Sequence, residues 1–136
     1  MGYEWIEHTA DVAVKVWGKD VQELFSEAAK ALFSVITDIE KVTPKFEERV
    51  EAEGEGMEGL LVGWLNELLY LHEVKGMLFS QFEPKLTKGR VEGKTRGEPF
   101  DPSRHEILTP VKAVTYHGLE LKREEGHWEA TLIFDV

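Results

Sequence analysis

The sequence predicts one α+β domain, a layered sandwich that combines a mixed or mostly antiparallel sheet with two main helices. Segments with an apolar residue at every second position outnumber segments with helical periodicity. Several strand-like segments are separated by short turns, which is typical of hairpins rather than of alternating strand–helix units. The chain has 136 residues and no repeat or low-complexity linker, so we expect residues 1–136 to form a single domain.

Two segments have the spacing of amphipathic helices. Asp20 and Glu23 match a capping box, and the apolar residues after them share one face as far as about residue 37. That face carries Val21, Leu24, Phe25, Ala28, Leu32 and Ile36. The second helix is predicted from about Glu58 to Glu73, with Gly76 ending it. Its buried face carries Leu61, Trp64, Leu65, Leu68 and Leu69.

The other apolar segments are predicted to be strands. They cover residues 12–16, 46–53, 77–82, 90–95, 111–117, 119–123 and 127–136. Turn residues at 88–89 and 124–126 favour hairpins at these points. In the last strand, Asp135 is expected on the face opposite the apolar set Trp128, Ala130, Leu132, Phe134 and Val136.

The composition excludes several kinds of protein. With 16 basic against 26 acidic residues, the net charge of −10 repels nucleic acid, so we expect no DNA partner; direct RNA binding is disfavoured but stays open. The most basic segment, residues 85–96, is predicted to be a solvated hairpin. No cysteine is present, which excludes disulfides, thiolate metal sites and cysteine nucleophiles. We find neither a membrane-spanning run nor a signal peptide, and we expect a cytoplasmic protein without a membrane partner.

Residues 54–59 match the glycine pattern G-x-G-x-x-G of dinucleotide-binding loops. Glu55 and Glu58 would place carboxylates beside the pyrophosphate, which a helix N-terminus attracts through its positive dipole end. The preceding segment alternates between charged and apolar residues, unlike a central parallel strand. We therefore interpret this motif as a flexible acidic turn and not as a nucleotide site.

Carboxylates near the two ends of the chain are the best candidates for chemistry. Asp11 follows His8 at the entrance of the first predicted strand, where an exposed turn is the simpler interpretation. Asp135 lies one residue from the α-carboxylate of Val136, and two such charges repel each other unless a cation relieves them. If Asp11 came alongside, the three oxygen donors would form a hard-cation site.

Lys112 is the candidate basic contact, on the predicted strand 111–117. It is either a solvated charge at a sheet edge or a partner for a phosphate or carboxylate. No nucleophile motif, Walker motif or His/Cys metal spacing accompanies it.

Several short segments, in order along the chain, resemble the archease family. They are His8-Thr9-Ala10-Asp11-Val12-Ala13, the helix segment 64–71, the loop from Gly97 to His105, residues 112–117 and the terminal Ile133-Phe134-Asp135-Val136. The resemblance implies an accessory factor, not an enzyme, that serves the RtcB-type RNA ligase of tRNA splicing. Family members promote guanylylation of the ligase and its repeated turnover, and they broaden its nucleotide use.

The resemblance also implies a divalent cation, usually calcium, bound by Asp11, Asp135 and Val136. Lys112 and His8 are candidate functional contacts, and tRNA exon halves would be met only indirectly, through the ligase. Two alternatives stay open. One is a chaperone-like modulator of tRNA-modifying enzymes such as methyltransferases. The other is a metal-dependent hydrolase that uses Asp11 and Asp135 with His8 or His117.

Overall fold

The computed structural model describes residues 1–7 and 11–136, and the side chains of residues 5–7 also lie outside the description. The helices are α1 (Val21–Ile36) and α2 (Gly56–Lys75), with a short 3-10 helix at Ile39–Lys41. The strands are β1 (Gly2–Glu7), β2 (Asp11–Gly18), β3 (Phe46–Glu53), β4 (Met77–Glu83), β5 (Leu86–Thr87), β6 (Arg90–Pro99), β7 (Ala113–Glu124) and β8 (His127–Asp135).

The strands form two separate sheets. The first has the order β1-β2-β8-β7, and the second has the order β3-β6-β4 with β5 paired to β6. Every strand pairing within the described residues is antiparallel. The predicted α+β class with two main helices is confirmed, and its sheet content is divided between two antiparallel sheets.

The two helices lie between these sheets. α1 packs on β2 and β8 of the first sheet and on β4 of the second, while α2 packs on β7 of the first and β3 of the second. A helix covered on opposite sides needs apolar residues around most of its surface. Leu60, Leu61, Val62, Trp64 and Leu65 are accordingly five nearly consecutive buried residues of α2. Neither described helix is long and apolar enough to cross a membrane.

The start of α1 and the end of α2 follow from the residues that the sequence analysis named. The Asp20 carboxylate accepts a hydrogen bond of 2.8 Å from the Glu23 N–H, as a helix N-cap should. α2 begins and ends two residues outside the predicted bounds and stops at Gly76, whose φ of 67° is the left-handed conformation that favours glycine.

The structure corrects the strand predictions in two places. The sequence analysis did not predict β1. Its pairing with β2, and not the residue pattern of the segment itself, identifies it as a strand. Residues 111–117 and 119–123 are not two strands: β7 starts at Ala113 and continues to Glu124 around a bulge. In this bulge, residues 116–119 lie opposite Leu132 alone, and pairing with β8 resumes at Glu120. Lys112 therefore precedes the strand on which it was placed.

Gly54 in the segment of residues 54–59 and Gly63 in α2 lie where a side chain would not fit, and Gly56, with a φ of 70°, adopts the left-handed conformation at the start of α2. A methyl group at Gly54 would overlap the backbone of Gly59, and one at Gly63 would lie 2.7 Å from the Glu53 carbonyl oxygen. The glycines thus allow α2 to approach β3 closely. β3 is an edge strand of an antiparallel sheet, so the parallel unit of a dinucleotide fold is not built here.

Candidate metal site

Asp11 and Asp135 lie directly opposite each other on adjacent strands. The register of β2 and β8 pairs Asp11 with Asp135, Val12 with Phe134 and Ala13 with Ile133. Directly opposed residues of an antiparallel pair project to the same face with Cβ atoms ~5 Å apart. The fold therefore brings together the two carboxylates that the sequence analysis grouped from opposite ends of the chain.

The hydrophobic alternation of β8 decides which way this pair points. Phe134 and Leu132 are buried on the side of the helices, and Asp135 is exposed. On β2, Val14 and Val16 are fully buried, whereas Asp11 is half-buried at the start of the strand. Both carboxylates thus lie on the sheet face that points away from the helices, at the end of the sheet.

Lys112 lies beside Asp135 through its backbone. Its N–H donates a 2.7 Å hydrogen bond to the Asp135 carbonyl oxygen, and the next residue, Ala113, is the register partner of Asp135. The Lys112 side chain is exposed. The hydrogen bond to the main chain of Asp135 thus places the backbone of Lys112 at the end of the sheet that carries the two paired aspartates.

The other candidates are placed differently. Val136 follows Asp135 directly and is half-buried. His8 lies outside the described residues. His117 lies in the bulge of β7, where its N–H bonds the Thr115 hydroxyl at 3.0 Å. The bulge lies opposite Leu132, three residues or about 10 Å from Asp135 along β8, so His117 lies apart from the two paired aspartates.

The donor set matches a hard cation in its chemistry. Ca²⁺ and Mg²⁺ prefer carboxylate and carbonyl oxygens, and two paired carboxylates supply negative charge at one point. Within residues 1–7 and 11–136, no group of three or more acidic, histidine or cysteine side chains surrounds a common metal position. Among the described residues, a third protein ligand would be a main-chain oxygen, such as that of Val136, which the sequence analysis named.

Asn66 holds the start of β7 in place, a role that the sequence analysis did not assign. Its side-chain N–H group donates to the Val114 carbonyl and its oxygen accepts from the Val114 N–H, both at 3.1 Å. β7 is the edge of its sheet, so Val114 has no neighbouring strand on that side. The amide replaces that strand and fixes the segment that carries Lys112.

A second polar cluster surrounds Glu98. It includes His105, which lies in a loop, as predicted, but is buried there. The His105 ring is fully buried, and its Nε2 lies 2.9 Å from Glu98 Oε2. The Asp101 N–H donates to Nδ1, so the ring proton lies on Nε2 and points at Glu98. Arg104 reaches the other oxygen, Oε1, at 2.6 Å. Glu98 therefore anchors the loop that follows β6.

The neighbours of Glu98 strongly lower the pKa of its carboxyl group. The Arg104 hydrogen bond lowers its pKa, burial opposes this, and the Thr43 N–H and His105 lower it again, to about 2. Each neighbour hydrogen-bonds Glu98 within the cluster, and Arg104 and His105 also line one wall of an open surface cavity of about 690 Å³. We interpret the cluster as structural.

The basic segment 85–96 is a hairpin, as predicted, because β5 pairs with β6 across the turn at 88–89. Arg90 bonds Glu53 and Glu51 at 2.6 and 3.1 Å, and Arg96 bonds Glu83 and Glu47 at 2.6 and 2.8 Å. The acidic neighbours raise the pKa of Arg96 and balance its charge. Carboxylates therefore neutralise the two arginines of this segment, whereas its three lysines, Lys85, Lys88 and Lys94, are exposed.

A family model described as the Archease protein family (MTH1598/TM1083) matches residues 3–136. The chain belongs to the archease family. A protein archease of Methanopyrus kandleri is 49% identical with full coverage of both chains, and one of Pyrococcus furiosus is 42% identical over 98% of each. Such similarity across the whole chain accounts for the ordered motifs.

Archease structures have the same fold. The solution structure of Methanobacterium thermoautotrophicum protein 1598 superposes with a TM-score of 0.87 at 37% identity, covering 99% of each chain. A crystal structure described as an archease, possible chaperone, from Thermotoga maritima gives 0.66 at 24% identity, covering 96% of this chain and 94% of the other. The second likeness concerns the fold alone.

Proposed function

We propose that this archease is an accessory factor of an RtcB-type RNA ligase in tRNA splicing and not itself an enzyme. In this role it promotes guanylylation of the ligase and repeated turnover, broadens the nucleotides that the ligase accepts, and acts in the cytoplasm. The exon halves of tRNA meet it only through the ligase. The observation that carries the proposal is the direct pairing of Asp11 with Asp135, which gathers carboxylates from distant parts of the chain.

The proposed site holds a divalent cation, with Ca²⁺ as the expected ion. Asp11 and Asp135 supply side-chain oxygens, and the Val136 carboxylate supplies the third. When bound, such a cation would concentrate positive charge where phosphate groups need neutralising. The chain's own residues position this charge: the β2–β8 register fixes the two aspartates, and the core below β8 keeps Asp135 at the surface.

Lys112 is proposed as a functional contact beside the cation, together with His8. A lysine ammonium is a mobile point charge that pairs with carboxylate or phosphate. The backbone of Lys112 is hydrogen-bonded to Asp135, so its side chain extends toward the partner from a fixed position. An acidic chain of net charge −10 is also suited to docking on a basic enzyme, because complementary charge accelerates encounter.

The test is multiple-turnover RNA joining by the cognate ligase, with GTP and a divalent cation. It compares ligase alone with ligase plus wild-type protein, Asp135→Ala or Glu125→Ala, which removes an exposed carboxylate from the distant β7–β8 turn. We expect stimulation by the wild type and by Glu125→Ala and its loss with Asp135→Ala. Equal stimulation by all three proteins would move the mechanism from this site toward a chaperone-like role. No stimulation by the wild type would overturn the proposal.

A further inference from the structure

α2 exposes two large apolar side chains on the side of the helix that neither sheet covers. Tyr70 is 55% exposed and Val74 is 62% exposed. They are four residues apart, so they are neighbours on one face of the helix. Glu67 precedes Tyr70 by three residues on the same stripe and is also exposed.

This stripe runs alongside β7 toward the candidate metal site. A Cβ at Gly59 would lie 3.6 Å from the Tyr116 hydroxyl, and Asn66 bonds Val114, so α2 and β7 run in opposite directions past each other. One helical turn beyond Asn66 is Tyr70, about 6 Å further on. Two residues before Val114 is Lys112, a similar distance in the same direction. The stripe therefore leads to the end of the sheet where Lys112 adjoins Asp135.

Tyr116 adds a third exposed apolar group at the other end of this stripe. It lies in the β7 bulge and is 62% exposed. Both sheets end on this side of the molecule, with β7 and β3 as their edges, and α2 fills the gap between them. We name this surface the α2–β7 face and define it by Glu58, Glu67, Tyr70, Glu73, Val74 and Tyr116.

The negative charge of the α2–β7 face indicates which kind of partner can bind there. The exposed charged residues of α2 are Glu58, Glu67, Glu73 and Lys75, and Lys75 pairs with Glu48 at 3.6 Å. An acidic border repels nucleic acid, and it repels a second copy of a chain whose net charge is −10. It is complementary to a protein surface with basic side chains around an apolar depression.

We propose that the α2–β7 face docks on a protein partner through an apolar groove bordered by lysine and arginine, with Tyr70 and Val74 inserted. The proposal rests on the accessory role above, which makes the ligase this partner. Contact along this face would bring Lys112 and the two aspartates against the partner at one end. The apolar side chains of the stripe would be the anchors that bury surface in the groove. The acidic residues around them would align the two proteins and accelerate their encounter.

The test measures binding of immobilised ligase to the wild type, the double variant Tyr70→Ala/Val74→Ala and the charge variant Glu67→Lys/Glu73→Lys. We expect a Kd at least tenfold higher for each variant, with a salt dependence that weakens in the charge variant. Two changes outside the face serve as controls: Leu108→Ala removes a half-exposed apolar side chain, and Glu125→Lys reverses an exposed charge. Both are expected to bind within twofold of the wild type.

Three other outcomes are decisive. Wild-type binding that neither face variant weakens would overturn the docking surface and leave the accessory role intact. No complex with the wild type would overturn both proposals. Light scattering that finds a wild-type dimer, abolished by the face variants, would assign the face to a second copy and overturn this assignment. Circular dichroism and thermal unfolding of each variant separate lost docking from lost folding.

Discussion

The side-chain amide of Asn66 on α2 makes both hydrogen bonds that a neighbouring strand would make to Val114 on β7, each at 3.1 Å. It links the central helix to the strand that starts beside Lys112. In a fold whose sheets are separated by helices, this contact sets the position of the β7 edge relative to the core.

Asn66→Ala should destabilise the protein by about 1–3 kcal/mol, because it leaves two main-chain groups of Val114 without their partner. Chemical denaturation monitored by tryptophan fluorescence measures the free energy of unfolding. Glu67→Ala, at the next, exposed position of α2, is the matched control and should change it by less than about 0.5 kcal/mol. Equal effects of the two changes would contradict the proposed role of the amide.

Asp11→Asn and Asp135→Asn should each weaken binding of Ca²⁺ about tenfold or more, because each removes a charged oxygen donor from a small set. Isothermal titration calorimetry of purified, chelator-treated protein measures the affinity. Glu125→Gln removes a carboxylate outside the site and should bind the ion as the wild type does. Unchanged affinity in both aspartate variants would locate any cation elsewhere.

Lys112→Ala should separate cation binding from ligase stimulation. Removing a positive charge near the carboxylates should raise the affinity for Ca²⁺ by about two- to fivefold at low salt. The same variant should lose stimulation of RNA joining if the ammonium contacts the partner or its nucleotide. The two assays are run on one protein preparation, and loss of cation affinity would instead mean that Lys112 supports the carboxylate arrangement.

Glu98 predicts an acid-dependent loss of stability. Its pKa is lowered to about 2 from an ordinary value of 4.5, so the folded protein binds this proton more weakly than the unfolded chain. Its contribution is fully present above about pH 4.5 and is lost as the pH falls toward 2. Glu98→Gln should therefore be less stable than the wild type by about 2 kcal/mol near neutral pH.

Urea unfolding of both proteins between pH 6 and pH 3 checks this prediction. The difference in unfolding free energy should shrink as the pH falls, because protonation of Glu98 removes from the wild type the negative charge that the glutamine variant already lacks. Glu125→Gln, which changes an exposed carboxylate in a turn, should follow the wild type at every pH. A difference that is independent of pH would show that the carboxylate charge is not what Glu98 contributes.

The sequence by itself determined the parts of the fold that depend on local spacing. Residues within a few positions of each other specify the Asp20–Glu23 cap, the end of α2 at Gly76 and the alternation of β8. Chain-end charge and family resemblance also singled out Asp11, Asp135 and Lys112. The register of β2 and β8 then placed Asp11 and Asp135 side by side, and the pairing of β7 with β8 placed the backbone of Lys112 against Asp135.

Only the tertiary structure decided what depends on distant neighbours. The continuity of β7 through its bulge follows from β8 pairing on both sides of it. Two polar contacts are further examples: His105 with Glu98, and Asn66 with Val114. The residues next to each partner in the sequence do not indicate the other partner. Local periodicity specifies which side of a segment is buried, whereas the partner of a polar group is chosen only when packing of the core has fixed which segments meet.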